Sequence, residues 1–129
     1  MKTLLLDVEE GKVMELDIEN ELEAFYEALG CDWIEIHPHK IGYPGIKFDT
    51  TFLVMCDEEG KLKDNPKISA IDSKGRTMFV GNLLFFRTDD EGELKELSDE
   101  DIKYLKRKIK TRFYLNSTKP HPILEQCDW

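Results

Sequence analysis

The stretch Lys2-Thr3-Leu4-Leu5-Leu6-Asp7-Val8-Glu9-Glu10-Gly11-Lys12-Val13-Met14-Glu15-Leu16-Asp17-Ile18 decides the fold. Two strand-like segments, 2–8 and 13–18, flank Glu9-Glu10-Gly11-Lys12, which supplies glycine where a hairpin turn needs positive φ. In the second segment Val13, Glu15 and Asp17 alternate with Met14, Leu16 and Ile18, the period-two signature of one buried face. A tight turn between two such segments means antiparallel pairing.

Working outward, a helix follows. Asn20 is its expected cap, Leu22, Phe25, Tyr26 and Leu29 give the 3–4 spacing, and Gly30 stops it. Residues 33–37 read as a third strand, with Trp33, Glu35 and His37 on one face and Ile34 and Ile36 on the other. Pro38 and the glycine- and proline-bearing stretch 40–46 read as a loop. Residues 51–56 form a fourth, central strand, because Phe52, Leu53, Val54 and Met55 run together. Asn65-Pro66 opens a loop or short helix through Ala70. The most apolar segment, 78–87, reads as a strand with a bulge at Gly81-Asn82, and 93–97 as a short edge strand. Ser98 and Asp101 form a capping sequence for a last helix over 99–114, whose stripe is Ile102, Leu105, Ile109 and Phe113. The expectation is an α+β domain over 1–114, a mainly antiparallel sheet of about five strands with the two helices on one face, and a C-terminal tail over 115–129.

Apolar residues make up 40% of the chain and charged residues 35%, a globular composition that excludes a disordered chain. No apolar run approaches the roughly 18 residues of a membrane span, and the early Asp7 argues against a signal peptide. Three cysteines without metal spacing suit a reducing, cytoplasmic setting. Residues 1–102 hold 25 acids against 11 bases, net −14, and residues 103–129 hold 7 bases against 2 acids, net +5. A body this acidic repels DNA and attracts basic surfaces.

Sites for chemistry are few. His37 and His39, two apart on an extended chain, can face one way and share a metal with Asp32 or Cys56, but no spaced motif completes a ligand set, and no metal or cofactor is expected. Cys56 reads as a core thiol, whereas Cys127 in the tail reads as an exposed one. No nucleophile with a positioned base is visible, so no catalytic residue is expected. The last helix stands out: Lys103, Lys106, Arg107 and Lys110 follow the i, i+3, i+4, i+7 spacing of one face, with Tyr104 among them. Cations with an aromatic can hold a phosphate and stack a base. The competing reading is a helix whose C-terminal cations complement its dipole.

The strand Lys-Thr-Leu-Leu-Leu at 2–6, the turn Glu58-Glu59-Gly60-Lys61-Leu62, the run Val80-Gly81-Asn82-Leu83-Leu84-Phe85-Phe86 and Ser98-Asp99-Glu100-Asp101-Ile102 resemble the small family called domain of unknown function 3846, over about residues 2–113. The resemblance implies an origin in gut bacteria, their phages or mobile elements, and carries no established catalytic residues. With the acidic body, it leads to the expectation of a non-enzymatic binding protein that modulates or inhibits a host defence system, with a host defence protein as its partner. The alternative is a small-ligand binder, for a nucleotide signal, that uses Lys103, Tyr104, Lys106, Arg107 and Lys110. A homo-oligomer is an expected form in either case.

Overall fold

The computed structural model describes residues 1–43, 47–62, 66–113 and 119–129. In chain order it forms β1 (Lys2–Asp7), β2 (Lys12–Asp17), α1 (Leu22–Leu29), β3 (Ile34–Ile41), β4 (Thr51–Asp57), a 3-10 turn (Gly60–Leu62), β5 (Ile68–Ile71), β6 (Thr77–Val80), β7 (Leu83–Thr88), β8 (Leu94–Lys95), α2 (Asp99–Lys108), β9 (Ile109–Arg112), β10 (His121–Leu124) and β11 (Cys127–Asp128). One sheet of seven strands runs β11-β3-β4-β7-β1-β2, with β8 beside β7, and a second of four runs β6-β5-β10-β9. Every pairing is antiparallel except that of β10 with β5. The α+β class and the mainly antiparallel sheet follow the expectation; the number of strands exceeds it, and the strands divide into two sheets.

The cause lies in the consecutive apolar residues at 4–6, 52–56 and 83–86. They give β1, β4 and β7 apolar side chains on both faces, and both must then be covered. On one face Leu5, Met55, Leu84 and Phe86 pack under Phe25 and Leu29 of α1. On the other, Leu4, Leu6, Phe52, Val54 and Phe85 pack under Ala70, Phe79 and Leu124 of the second sheet and under Ile102 and Leu105 of α2. The two helices therefore lie on opposite faces of the main sheet and not on one.

Local departures have separable reasons. Helix α1 starts from Glu21 with no side-chain cap, so Asn20 is not its cap, and Leu22 is exposed while Phe25 and Leu29 are buried. Gly30 ends it in the left-handed region (φ 67°), where its N–H donates to the Tyr26 carbonyl at 2.8 Å. Strand β3 continues through Pro38 to Ile41; β11 pairs only with Lys40 and Ile41, so among the described residues no strand flanks Pro38 on the outer side of β3. Pro44 to Ile46 of the expected loop lie outside the described residues. So does Asn65, and the residues that follow it form β5 in place of a loop or short helix. Gly81 is a corner, not a bulge. At φ 81° it turns the chain from β6 in one sheet into β7 in the other, while Asn82 Oδ1 accepts the Val8 N–H.

Helix α2 ends at Lys108. Ile109 is already extended (φ −95°, ψ 119°), and β9 follows, paired residue by residue with β10. The spacing of 102, 105 and 109 suits a helix, but β-branched Ile109 and Thr111 suit a strand, and β10 supplies the ladder that decides between them. Phe113 is exposed, not part of a helical stripe, and Tyr114 lies outside the described residues. Residues 121–124 and 127–128, expected within a tail, are strands of both sheets, and β10 is fully buried between β5 and β9.

The start of α2 is fixed by a reciprocal cap. Asp101 N–H donates to Ser98 Oγ at 3.1 Å and Ser98 N–H donates to Asp101 Oδ2 at 2.9 Å. The other oxygen, Oδ1, accepts from Arg87 Nη2 at 2.8 Å and Nε at 3.2 Å, and Arg87 Nη1 donates to the Thr51 carbonyl at 2.6 Å. The guanidinium lies 3.9 Å from the Phe52 ring centre. Burial opposes the charge on Asp101, but the Arg87 hydrogen bonds, the Ser98 N–H and the Arg87 charge outweigh it and hold the carboxyl below its ordinary value.

Because β10 is an interior strand, Leu124→Ala is expected to cost about 2–5 kcal/mol, the range for truncating a buried leucine. Leu62→Ala, at a side chain 84% exposed, is expected to change stability by no more than about 0.5 kcal/mol. Denaturant melts of the two variants check this, and equal costs would mean that β10 carries no core load.

Candidate functional site

The cations expected to share one helical face are split by the end of α2. Lys103, Lys106 and Arg107 are exposed on the helix, whereas Lys110 is exposed on β9. Lys106 Nζ is 3.0 Å from Glu15 Oε2 on β2, and the Arg107 guanidinium lies 5.7 Å from the Tyr104 ring centre. Lys108 donates to Gln126 Oε1 at 3.2 Å and also faces Tyr104. Tyr104 itself is turned inward. Its ring stacks on Phe48 (4.4 Å between centres) and Phe52 (6.2 Å), and its hydroxyl donates to the Ile41 carbonyl at 2.6 Å. Burial pushes its phenol above the ordinary value. The ring expected to stack a ligand base is thus engaged in the core.

A second group of residues meets where the two sheets splay apart. A cleft of about 230 Å³ opens between the ends of β3 and β4 on one side and β6 on the other, with Trp129 beside it. Glu35, Asp57 and Glu58 bring carboxylates to it, Phe79, Met78 and Trp129 form apolar walls, and His37 and Cys56 complete the lining with Val80. His37 Nε2 is 3.4 Å from Glu35 Oε1. The alternation of β3 puts Glu35, His37 and His39 on one face, so the strand reaches from the cleft mouth to the core in two steps of two residues.

His39 is 1% exposed, and neither ring nitrogen has a hydrogen-bond partner among the described residues. Its ring lies 4.8 Å from Phe79 and 4.5 Å from Trp129, between two walls of the cleft. Desolvation lowers its pKa from the ordinary 6.5; the Asp128 backbone acts the other way without reaching hydrogen-bonding geometry, and the His37 charge lowers it further. Trp129 is held in place through its neighbour: Asp128 accepts from the Ser73 N–H at 3.2 Å and from the Ser73 hydroxyl. The two histidines face one way, as the i, i+2 spacing requires, but among the described residues no three histidine, cysteine or acidic side chains come close enough for a metal. Cys56 is buried as expected. Cys127 is buried too, not exposed, and desolvation pushes its thiol up to about 12, far from a reactive thiolate.

Sequence reading missed the cleft because its walls come from residues 35, 58, 79 and 129, far apart in the chain. The face shared by Glu35 and His37 is the part of the signal that was present. Among the described residues no helix is long and apolar enough to cross a membrane.

A small α+β protein of two packed sheets, with an acidic aromatic cleft where they part, is the class these observations define. The chain belongs to the family described as Domain of unknown function (DUF3846), whose model matches residues 1–110. No curated protein and no solved structure matches it. The match ends before β10, β11 and Trp129, so one wall of the cleft comes from beyond the matched region.

The buried His39 gives a pH dependence with a defined sign. Its folded pKa lies below 6.5, so as pH falls below 6.5 the unfolded chain takes up a proton that the folded chain refuses. Stability is therefore full above pH 6.5 and declines toward the folded pKa, with a slope from this group of at most about 1.4 kcal/mol per pH unit. His39→Phe is expected to remove that contribution and to stabilise the fold by about 1–3 kcal/mol at acid pH, since a ring without polar atoms suits the space between Phe79 and Trp129. Urea melts from pH 8 to pH 5 check it; an unchanged slope in the variant would remove His39 as the cause.

Proposed function

We propose that this protein is a non-enzymatic binding protein of phage or mobile-element origin that inhibits a host defence protein by occupying a basic surface made for nucleic acid. The observation that supports this reading is the placement of charge. The directions of β1, β3, β4 and β7 bring the β1–β2 turn, the start of β3 and the end of β4 to one end of the main sheet. That end carries Glu9, Glu10, Asp32, Glu35, Asp57, Glu58 and Glu59, against Lys12, Lys67 and Lys119 as the described cations near it, of which Lys67 pairs with Glu9 at 3.4 Å. An acidic end on a chain of net charge −9 speeds association with a basic groove and weakens with salt. The alternative of a nucleotide held by Lys103, Lys106, Arg107 and Lys110 draws less support, because Tyr104 is engaged in the core and Lys110 stands on a separate element.

Glu10, Asp32 and Glu59 are exposed acids of that end that lie outside the cleft. In a bacterial host carrying nucleic-acid-directed defence systems, the protein is expected to raise the plating of a sensitive phage against at least one of them. The triple variant Glu10→Gln, Asp32→Asn, Glu59→Gln is expected to keep its melting temperature and to lose most of that protection. Relief of no defence system, or full protection by the triple variant, would count against the proposal.

A further inference from the structure

We infer that the cleft between the sheets is a receptor for a single guanidinium head, an arginine side chain of the bound partner, held between the Trp129 indole and the carboxylates of Glu35 and Glu58. This deepens the proposed function and rests on it for the source of the arginine. Three observations converge. The cleft, at about 230 Å³, falls below the roughly 300–1,000 Å³ of pockets that take drug-sized ligands, so it suits one head group and part of its stem. Among the described residues its lining holds Glu35, Asp57 and Glu58 and no lysine or arginine, and His37, the one described lining residue able to carry positive charge, sits against Glu35. Two of its walls are aromatic, Phe79 and Trp129, and the buried His39 ring lies behind them, its nitrogens without a hydrogen-bond partner among the described residues.

A guanidinium answers each of these features. It is planar and stacks on an indole, it is weakly hydrated for a cation, and its fork of donors matches carboxylates. An anion would meet the field of Glu35, Asp57 and Glu58, and a neutral apolar group would further desolvate Glu35 and Glu58 while offering them no donor. Trp129 is 72% exposed, so one of its faces is open to a ligand while the other covers His39.

The test uses small probes, so that it stands apart from any defence assay. The chain has two tryptophans, and Trp33→Phe leaves Trp129 as the reporter. The probes are Gly-Arg-Gly, Gly-citrulline-Gly, in which a neutral urea replaces the guanidinium, and agmatine. Gly-Arg-Gly is expected to change Trp129 fluorescence saturably, with a millimolar dissociation constant typical of one head group, and to weaken as salt rises. The citrulline peptide is expected to bind at least tenfold more weakly. Glu35→Gln with Glu58→Gln is expected to weaken Gly-Arg-Gly at least tenfold while the melting temperature holds. Equal binding of the two peptides, or no saturation with Gly-Arg-Gly at tens of millimolar, would overturn the guanidinium site. Agmatine binding tenfold tighter than Gly-Arg-Gly would overturn the assignment to a partner's side chain in favour of a free amine. Loss of Gly-Arg-Gly binding in the cleft variant with undiminished phage protection would separate the site from the proposed function.

Discussion

The structure depends most on one ion pair, Arg87 with Asp101. The carboxylate of Asp101 does two things at once: one oxygen completes the cap of α2 and the other receives the guanidinium from β7. Arg87 in turn donates to the first residue of β4 and sits over the Phe52 ring. Phe52 stacks with Tyr104, whose hydroxyl reaches the last residue of β3. A helix and three strands are thus tied at one end of the main sheet by groups that are almost wholly enclosed. Removing either charge strands the other in a poorly solvated place, a far larger penalty than the pair's net contribution.

The opposite end is built differently. There carboxylates are left facing water beside Trp129 and Phe79, and the unpartnered His39 lies deeper along β3, opposite Phe52. A buried imidazole without hydrogen bonds is a standing cost. The acids of that end are supplied by turns and strand ends, positions where substitution disturbs the core least. Enclosed charge pairing and exposed acidity thus fall toward the two ends of the same strands.

How much of this was legible varies with the range of the cause. Features set within a few residues were readable: the hairpin with Gly11 at positive φ, the stop at Gly30, the reciprocal cap of Ser98 and Asp101, and the central place of β4. Features set by distant partners were not. Whether 109–112 is helix or strand depends on β10, at least nine positions further along, and a helical stripe and a strand pair compete for the same Ile109. The corner at Gly81 looks like a bulge until the two sheets are known to be separate. One signal was present and underused: unbroken apolar runs in β1, β4 and β7 mean two covered faces, hence a third layer. The cleft was the least legible, since only Glu35 and His37 announced themselves on a common face.

The insertion of β10 between β5 and β9 has a consequence for how the protein is made. The strand joins partners that precede it by more than fifty residues and by about ten, with the distant one in parallel. During vectorial synthesis the main sheet through β8 can pair before residues 121–124 exist, while β5 and β9 wait with open edges and an uncovered apolar face. Such an intermediate is held in solution chiefly by its charge, and the surplus of acids in the first hundred residues is already in place when it forms.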